Sequence, residues 1–229
     1  MGISIGSTVK NYLSLVKFSH TIFAMPFAII GFVLGARQME FAVDWSLGWK
    51  VVLCMIFART AAMAFNRWAD RKYDALNPRT AVREIPSGTI PANFALTFTL
   101  LNCIAFTLTC YFINTACFYL SFVALAVVLG YSYSKRFTAL CHFVLGLGLS
   151  LAPVGAYLAV TGKFALVPIL FSALVLFWVS GFDIIYALQD EAFDNENNLK
   201  SIPALLGTKG ALNLSNLLHI LCAIIVFTV

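Results

Sequence analysis

Apolar runs about twenty residues long leave this chain few ways to fold. A helix rises 1.5 Å per residue, so each run is long enough to cross the roughly 30 Å hydrocarbon layer of a bilayer. Seven such runs lie between polar breakers, at residues 18–36, 47–65, 93–112, 117–133, 139–160, 164–188 and 212–229. Composition agrees: 61% of the 229 residues are hydrophobic and 11% charged, with a mean hydropathy of +0.89. A soluble domain carries about 25% charged residues, because a water-facing surface needs them. The expectation is a single all-α, multi-helix transmembrane bundle over residues 1–229, embedded in the lipid bilayer. The first run follows Lys10 and Lys17. It has no A-x-A cleavage site and is long enough to span, so it reads as a first helix, not a signal sequence.

The six cysteines, Cys54, Cys103, Cys110, Cys117, Cys141 and Cys222, lie inside apolar runs or at their ends, and none forms a CxxC pair. Zinc and disulfide frameworks want clustered, polar-flanked cysteines. These read as small apolar helix residues. The three histidines are far apart and suggest no metal site.

Lysines and arginines set the orientation. With the N-terminus inside, the inner segments hold Lys10, Lys17, Arg67, Arg71, Lys72, Arg79, Arg83, Lys135, Arg136, Lys200 and Lys209. The outer segments hold Arg37, Lys50 and Lys163, and Arg59 lies within a helix. Eleven against three places the N-terminus in the cytoplasm. Acidic residues are just as lopsided. Outside lie Glu40 and Asp44; Asp70, Asp74, Glu84, Asp183, Asp190, Glu191, Asp194 and Glu196 sit at or near the inner ends of the second and sixth spans. Acids barely influence topology, so this crowding has another cause, and acids at a membrane edge are by default a functional site.

Two patterns organise those acids. Asn66, Asp70 and Asp74 fall at i, i+4 and i+8, on one face of a helix. Asp190 and Asp194 repeat the i, i+4 spacing, with Asp183 two turns earlier. Like charges at that spacing destabilise a helix, so two such helices imply a compensating cation. Magnesium suits the pattern, being a hard ion that takes a few carboxylates and completes its shell with substrate phosphates. The plain alternative is a pair of solvated helix ends whose acids balance nearby arginines. Arg71, Lys72, Arg79 and Arg83 surround the first motif, and Lys135 and Arg136 end the fourth span on the same side. Carboxylates for metal beside guanidinium and ammonium groups for phosphate oxygens fit a diphosphate. Positive-inside anchoring accounts for some of these cations; Lys135 and Arg79 are the leading phosphate contacts.

Arg59 lies seven residues before Asn66, two turns deeper on the same face. A charge inside an apolar helix costs about 2.5–3.5 kcal/mol on insertion scales, so it needs a partner. Two are open: a carboxylate bound in a cavity, or a structural pair with Asp183.

The segments NRWADRKYD and DIIYALQDEAFD resemble the two Asp-rich motifs of the UbiA superfamily of intramembrane prenyltransferases. RTAVREIPSG, YSYSKRF and VKFSHTIFAMPFAIIG are similar to that family as well, so the resemblance spans essentially the whole chain. Within it, the chain is most similar to the 4-hydroxybenzoate polyprenyltransferase-like branch, which includes menaquinone-pathway members acting on aminodeoxyfutalosine-type benzoates. The resemblance implies a magnesium-dependent transfer of a polyprenyl group from polyprenyl diphosphate to an aromatic acid acceptor in quinone biosynthesis, with no nucleic-acid partner. It implies that Asn66, Asp70, Asp74, Asp190 and Asp194 hold metal, that Arg71, Arg79, Arg83 and Lys135 bind the diphosphate, and that Arg59 anchors the acceptor. Asp183 is the candidate for receiving a proton or stabilising a cation. The family has nine helices, so the expectation is that one or two C-terminal helices are lacking here. The implied location is the bacterial inner membrane, with the site facing the cytoplasm. Two other readings fit the acids less well. A CDP-alcohol phosphotransferase needs Asp-Gly and Ala-Arg pairs that neither motif supplies, and a cation transporter favours acids at mid-bilayer in broken helices.

Overall fold

The computed structural model describes Ser14, Leu15 and residues 18–229, without the side chains of residues 18–23. Lys10 and Lys17, two of the inner cations in the charge tally, lie outside the described residues. Among the described residues seven long helices form the bundle: α1 (Phe18–Gln38), α2 (Ser46–Leu76), α3 (Ala92–Tyr111), α4 (Thr115–Ser134), α5 (Cys141–Thr161), α6 (Leu166–Ala187) and α8 (Ile202–Thr228). A 3-10 turn, Leu188–Asp190, and a short helix α7, Glu191–Glu196, join α6 to α8. Among the described residues six helices are long and apolar enough to cross a bilayer, and α1 adds a seventh apolar helix. The protein is an all-α integral membrane bundle, as the apolar runs lead one to expect.

Local chemistry sets some of the helix boundaries. Asn114 caps α4 by accepting from the Cys117 N–H at 2.8 Å, and its amide also donates to the Leu158 carbonyl of α5 at 3.0 Å. Gly162 takes a left-handed φ of 67° and closes α5, a conformation a β-carbon disfavours. Several hydroxyls inside the membrane return to their own helix, as Thr99 does to the Ala95 carbonyl and Ser121 to the Phe118 carbonyl, because lipid offers no partner. Leu100, Leu101, Ile104 and Leu108 stand exposed along α3, where hydrocarbon and not water is their solvent.

Helix α5 is the axis, packed against α1, α4 and α6, while α2 packs on α3 and α6 on α8. Missing side chains allow the closest approaches. A β-carbon on Gly31 of α1 would stand 2.0 Å from the Pro153 carbonyl oxygen of α5. One on Gly146 of α5 would stand 2.4 Å from Ser180 Oγ and 2.6 Å from the Leu176 carbonyl oxygen of α6.

The structure departs from the sequence reading at the sixth and seventh spans. Helix α6 stops at Ala187, so Asp190 and Asp194 do not share one continuous helix. Asp190 sits in the 3-10 turn and Asp194 in α7, each drawn to a different cation. Helix α8 begins at Ile202, ten residues before the apolar run starts. Ser201 caps it by accepting from the Ala204 N–H at 3.3 Å, Pro203 sits in its first turn, and Gly207 (φ 67°, ψ 173°) breaks it once.

Candidate active site

The polar end of α2, the 77–91 connection, the α4–α5 connection and the segment from the 3-10 turn to α8 meet at one end of the bundle. Ion pairs join them. Asp70 pairs with Arg136 at 3.2 Å, Asp74 with Arg83 at 2.7 Å, Asp190 with Arg79 at 2.5 Å, and Asp194 with Lys135 at 2.7 Å. Each motif aspartate thus has its own cation, and three of the four pairs join segments distant along the chain. Asp74, Asp190 and Asp194 are buried, Asp194 completely.

Local geometry places these groups. Asn66 donates to Asp70 at 2.9 Å, as the i, i+4 spacing requires. Asn77 donates to Asp190 at 3.0 Å and its own oxygen accepts from the Arg79 N–H, so one residue orients both members of that pair. Burial works against the Arg79 charge, but the Asp190 carboxylate more than offsets it and holds the guanidinium above its ordinary value. Arg136 lies over the rings of Tyr133 and Tyr73, with 4.6 and 5.3 Å to their centroids. Arg71 does not join the cluster: it donates to the Trp68 carbonyl at 2.6 Å and stacks on that ring.

Arg59 lines an apolar cavity of about 260 Å³ that runs along the bundle from Arg59 and Tyr131 to Ile113 and Phe164. Its buried Nε has no hydrogen-bond partner. The structural pair with Asp183 is not formed; Asp183 instead pairs with His142 at 2.7 Å. The Tyr131 phenol lies within electrostatic reach of Arg59, Arg67, Asp70 and Asp183, and so sits between the cavity and the acids.

Asn77, Tyr131, Arg136 and His142 carry no assigned role in the sequence reading. Tyr131 and Arg136 stand inside the quoted YSYSKRF segment, which is the available signal for them. Among the described residues no three acids, histidines or cysteines gather closely enough to hold a metal ion. The donor chemistry still fits a hard cation. Asp74 Oδ2 and Asp194 Oδ2 are buried without a hydrogen-bond partner, which leaves anionic oxygens open for one.

Residues 24–229 match the UbiA prenyltransferase family. The chain belongs to the UbiA prenyltransferase family. A 4-hydroxybenzoate octaprenyltransferase from Aliivibrio fischeri (strain MJ11) is 34% identical over 164 residues, 72% of this chain and 57% of that relative. The chain therefore spans less than two thirds of that relative's length. A UbiA homolog from Aeropyrum pernix K1 superposes with a TM-score of 0.84 at 33% identity, covering 90% of this chain and 77% of the homolog. A UbiA homolog from Archaeoglobus fulgidus bound to DMAPP and Mg2+ shares the fold, with a TM-score of 0.77 at 23% identity over 94% of this chain and 76% of that one. The UbiA assignment separates the chain from the CDP-alcohol phosphotransferase and cation-transporter readings.

Proposed function

We propose that this UbiA protein transfers a polyprenyl group from polyprenyl diphosphate to a ring carbon of a 4-hydroxybenzoate-like acid in quinone biosynthesis. The observation that carries the reading is the set of four acid–base pairs at the end of an apolar cavity. The name of the Aliivibrio fischeri relative supports the acceptor class, and the ligands of the Archaeoglobus fulgidus homolog support a diphosphate with magnesium.

Asn66, Asp70, Asp74, Asp190 and Asp194 would hold magnesium, which when bound neutralises the diphosphate as a leaving group. Arg79, Arg83 and Lys135, freed from their carboxylates, donate to phosphate oxygens. Arg71 is the weakest of the proposed phosphate ligands, since its guanidinium is committed to Trp68. The allylic C–O bond breaks with its electron pair leaving on the diphosphate. The ring's π electrons then form the new C–C bond, and the ring proton passes to Asp183. Arg59 holds the acceptor carboxylate. The cavity wall excludes the water that would quench the allylic cation and gives the isoprenoid tail an apolar bed.

The direct test is an assay of the membrane-embedded protein with radiolabelled prenyl diphosphates against a panel of aromatic acids, with magnesium or EDTA. Labelled aromatic product in magnesium alone is expected; no product with any acid of the panel refutes the reading.

The proposed location is the bacterial inner membrane, with the site facing the cytoplasm. Lys72, Lys135 and Lys200 should then all lie on the cytoplasmic side. Single cysteines at these positions, in a cysteine-free background, should resist an impermeant thiol reagent in intact cells and react in inverted vesicles. Labelling of any of the three in intact cells overturns the arrangement.

A further inference from the structure

His142, buried at the start of α5, uses both ring nitrogens. Nδ1 lies 2.7 Å from Asp183 Oδ2 on α6, and Nε2 lies 3.2 Å from the backbone nitrogen of Ile202, the first residue of α8. A backbone N–H only donates, so Nε2 is the unprotonated, accepting nitrogen and the ring proton sits on Nδ1. Nδ1–H therefore donates to Asp183, and Asp183 Oδ2 accepts. The Ile202 amide fixes the tautomer, and the tautomer fixes the carboxylate.

The surroundings hold this relay in place. Gly146, one turn beyond His142, lets α5 approach α6 closely, and Ser180 Oγ–H lies between the Leu176 carbonyl at 2.7 Å and the His142 carbonyl at 3.2 Å. Ser180 precedes Asp183 by three residues on the same helix. On the other side, the Lys200 N–H donates to the Lys135 carbonyl at 2.7 Å, so the segment leading into Ile202 is tied to the residue that pairs with Asp194. Asp183 keeps 29% of its side chain exposed and lies within electrostatic reach of Tyr131, which lines the cavity.

We infer that His142 is a positioning residue for the proton-removal step: it fixes the orientation of the Asp183 carboxylate, with Oδ2 occupied and Oδ1 left to take the ring proton. This rests on the proposed aromatic prenyl transfer. In the step, the C–H bond at the newly alkylated ring carbon breaks, its electron pair restores the aromatic ring, and the proton goes to Asp183 Oδ1. A histidine that merely pinned three helices together would affect every step alike; one that orients the base affects proton loss alone.

An isotope experiment separates the two. The full chain in bilayer nanodiscs is given prenyl diphosphate, magnesium and 4-hydroxybenzoate, either unlabelled or deuterated at the ring carbons beside the hydroxyl. In the wild-type protein proton loss follows the slower bond formation, so the deuterium effect is near unity. His142→Leu is expected to lower kcat about tenfold, part of the factor a positioned base supplies, with the prenyl diphosphate KM unchanged and a primary deuterium effect now visible. His142→Gln, which keeps one acceptor and one donor, should recover both rate and isotope behaviour. In an Asp183→Asn background, His142→Leu should cost nothing more, because the two act as one unit.

A rate loss without an isotope effect, or losses that multiply in the double variant, makes His142 a helix pin and overturns the inference. Should the leucine variant not fold, the glutamine variant decides: a slowed enzyme with no isotope effect has the same meaning. Absence of prenylated product from the wild-type protein defeats the underlying reading and this inference together. Product from the wild type with a slowed His142→Leu that shows no isotope effect defeats the inference alone.

Discussion

Asp70→Asn and Asp190→Asn should each slow prenyl transfer by about a hundred- to a thousandfold, the usual loss when one preorganised electrostatic group is removed from a transition state. Asparagine keeps the shape of the side chain and removes its charge. At Asp70 the amide can still meet Asn66 and Arg136; at Asp190 it can still meet Asn77 and Arg79. The fold should hold in both variants, because Arg79 and Arg136 keep 34% and 27% of their side chains exposed and water takes over part of the lost pairing. Magnesium activation should weaken in parallel with rate, while thermal unfolding stays near that of the wild-type protein. Near-normal turnover by either variant, or undiminished activity in EDTA, would sink the metal-assisted mechanism.

Arg59→Leu should reduce kcat/KM for the aromatic acid by about ten- to a hundredfold, the range expected for hydrogen bonds between charged groups. The prenyl diphosphate KM should stay where it is. Arg59 stands seven residues, or about 10 Å at the helical rise, before Asn66, which leaves room for a benzoate ring between its carboxylate and the reacting carbon. The structure sharpens this forecast. Asp183 is held by His142, so removing Arg59 breaks no ion pair, and leucine suits a wall made by Ala58, Phe106 and Leu149. Unfolding should therefore occur at or above the wild-type temperature. A stability loss of about 3–5 kcal/mol, as when one member of a buried pair is deleted, would instead make Arg59 scaffolding. So would a joint rise in both substrates' KM values.

The bundle and most of the candidate site were legible before any coordinates, because both rest on spacing. Apolar run length identifies a spanning helix directly. The Asn66–Asp70 hydrogen bond follows from the i, i+4 rule alone. What the spacing concealed lies in contacts between segments distant along the chain. Asp190 and Asp194 look like a helical pair, yet Arg79 pulls on one and Lys135 on the other, and a 3-10 turn breaks the helix between them. Arg71 lies in a basic run that suggests a phosphate ligand. One residue past Asp70, it points about a quarter turn away and reaches Trp68 instead. The start of α8 carries a local signal, the Ser201–Pro203 cap, but it lies inside a polar connection that masks it. His142 had none. A lone histidine says nothing of the aspartate 41 residues ahead or the amide 60 residues ahead that give it a purpose.

The one-to-one matching of acids with bases also decides what kind of ligand this end of the protein can accept. A lone cation that took Asp74 or Asp194 would strand Arg83 or Lys135 in a partly buried place. A lone anion that took those bases would strand the carboxylates, and an uncompensated charge there is costly. Neither event is favourable without the other, so the two binding equilibria are thermodynamically linked, and the linkage is reciprocal. Diphosphate titrated into the protein should bind far more tightly with magnesium than in its absence, and magnesium should gain by the same factor from diphosphate. On the proposed reading, what the four pairs admit is a salt, entering as both ions at once by exchange of partners.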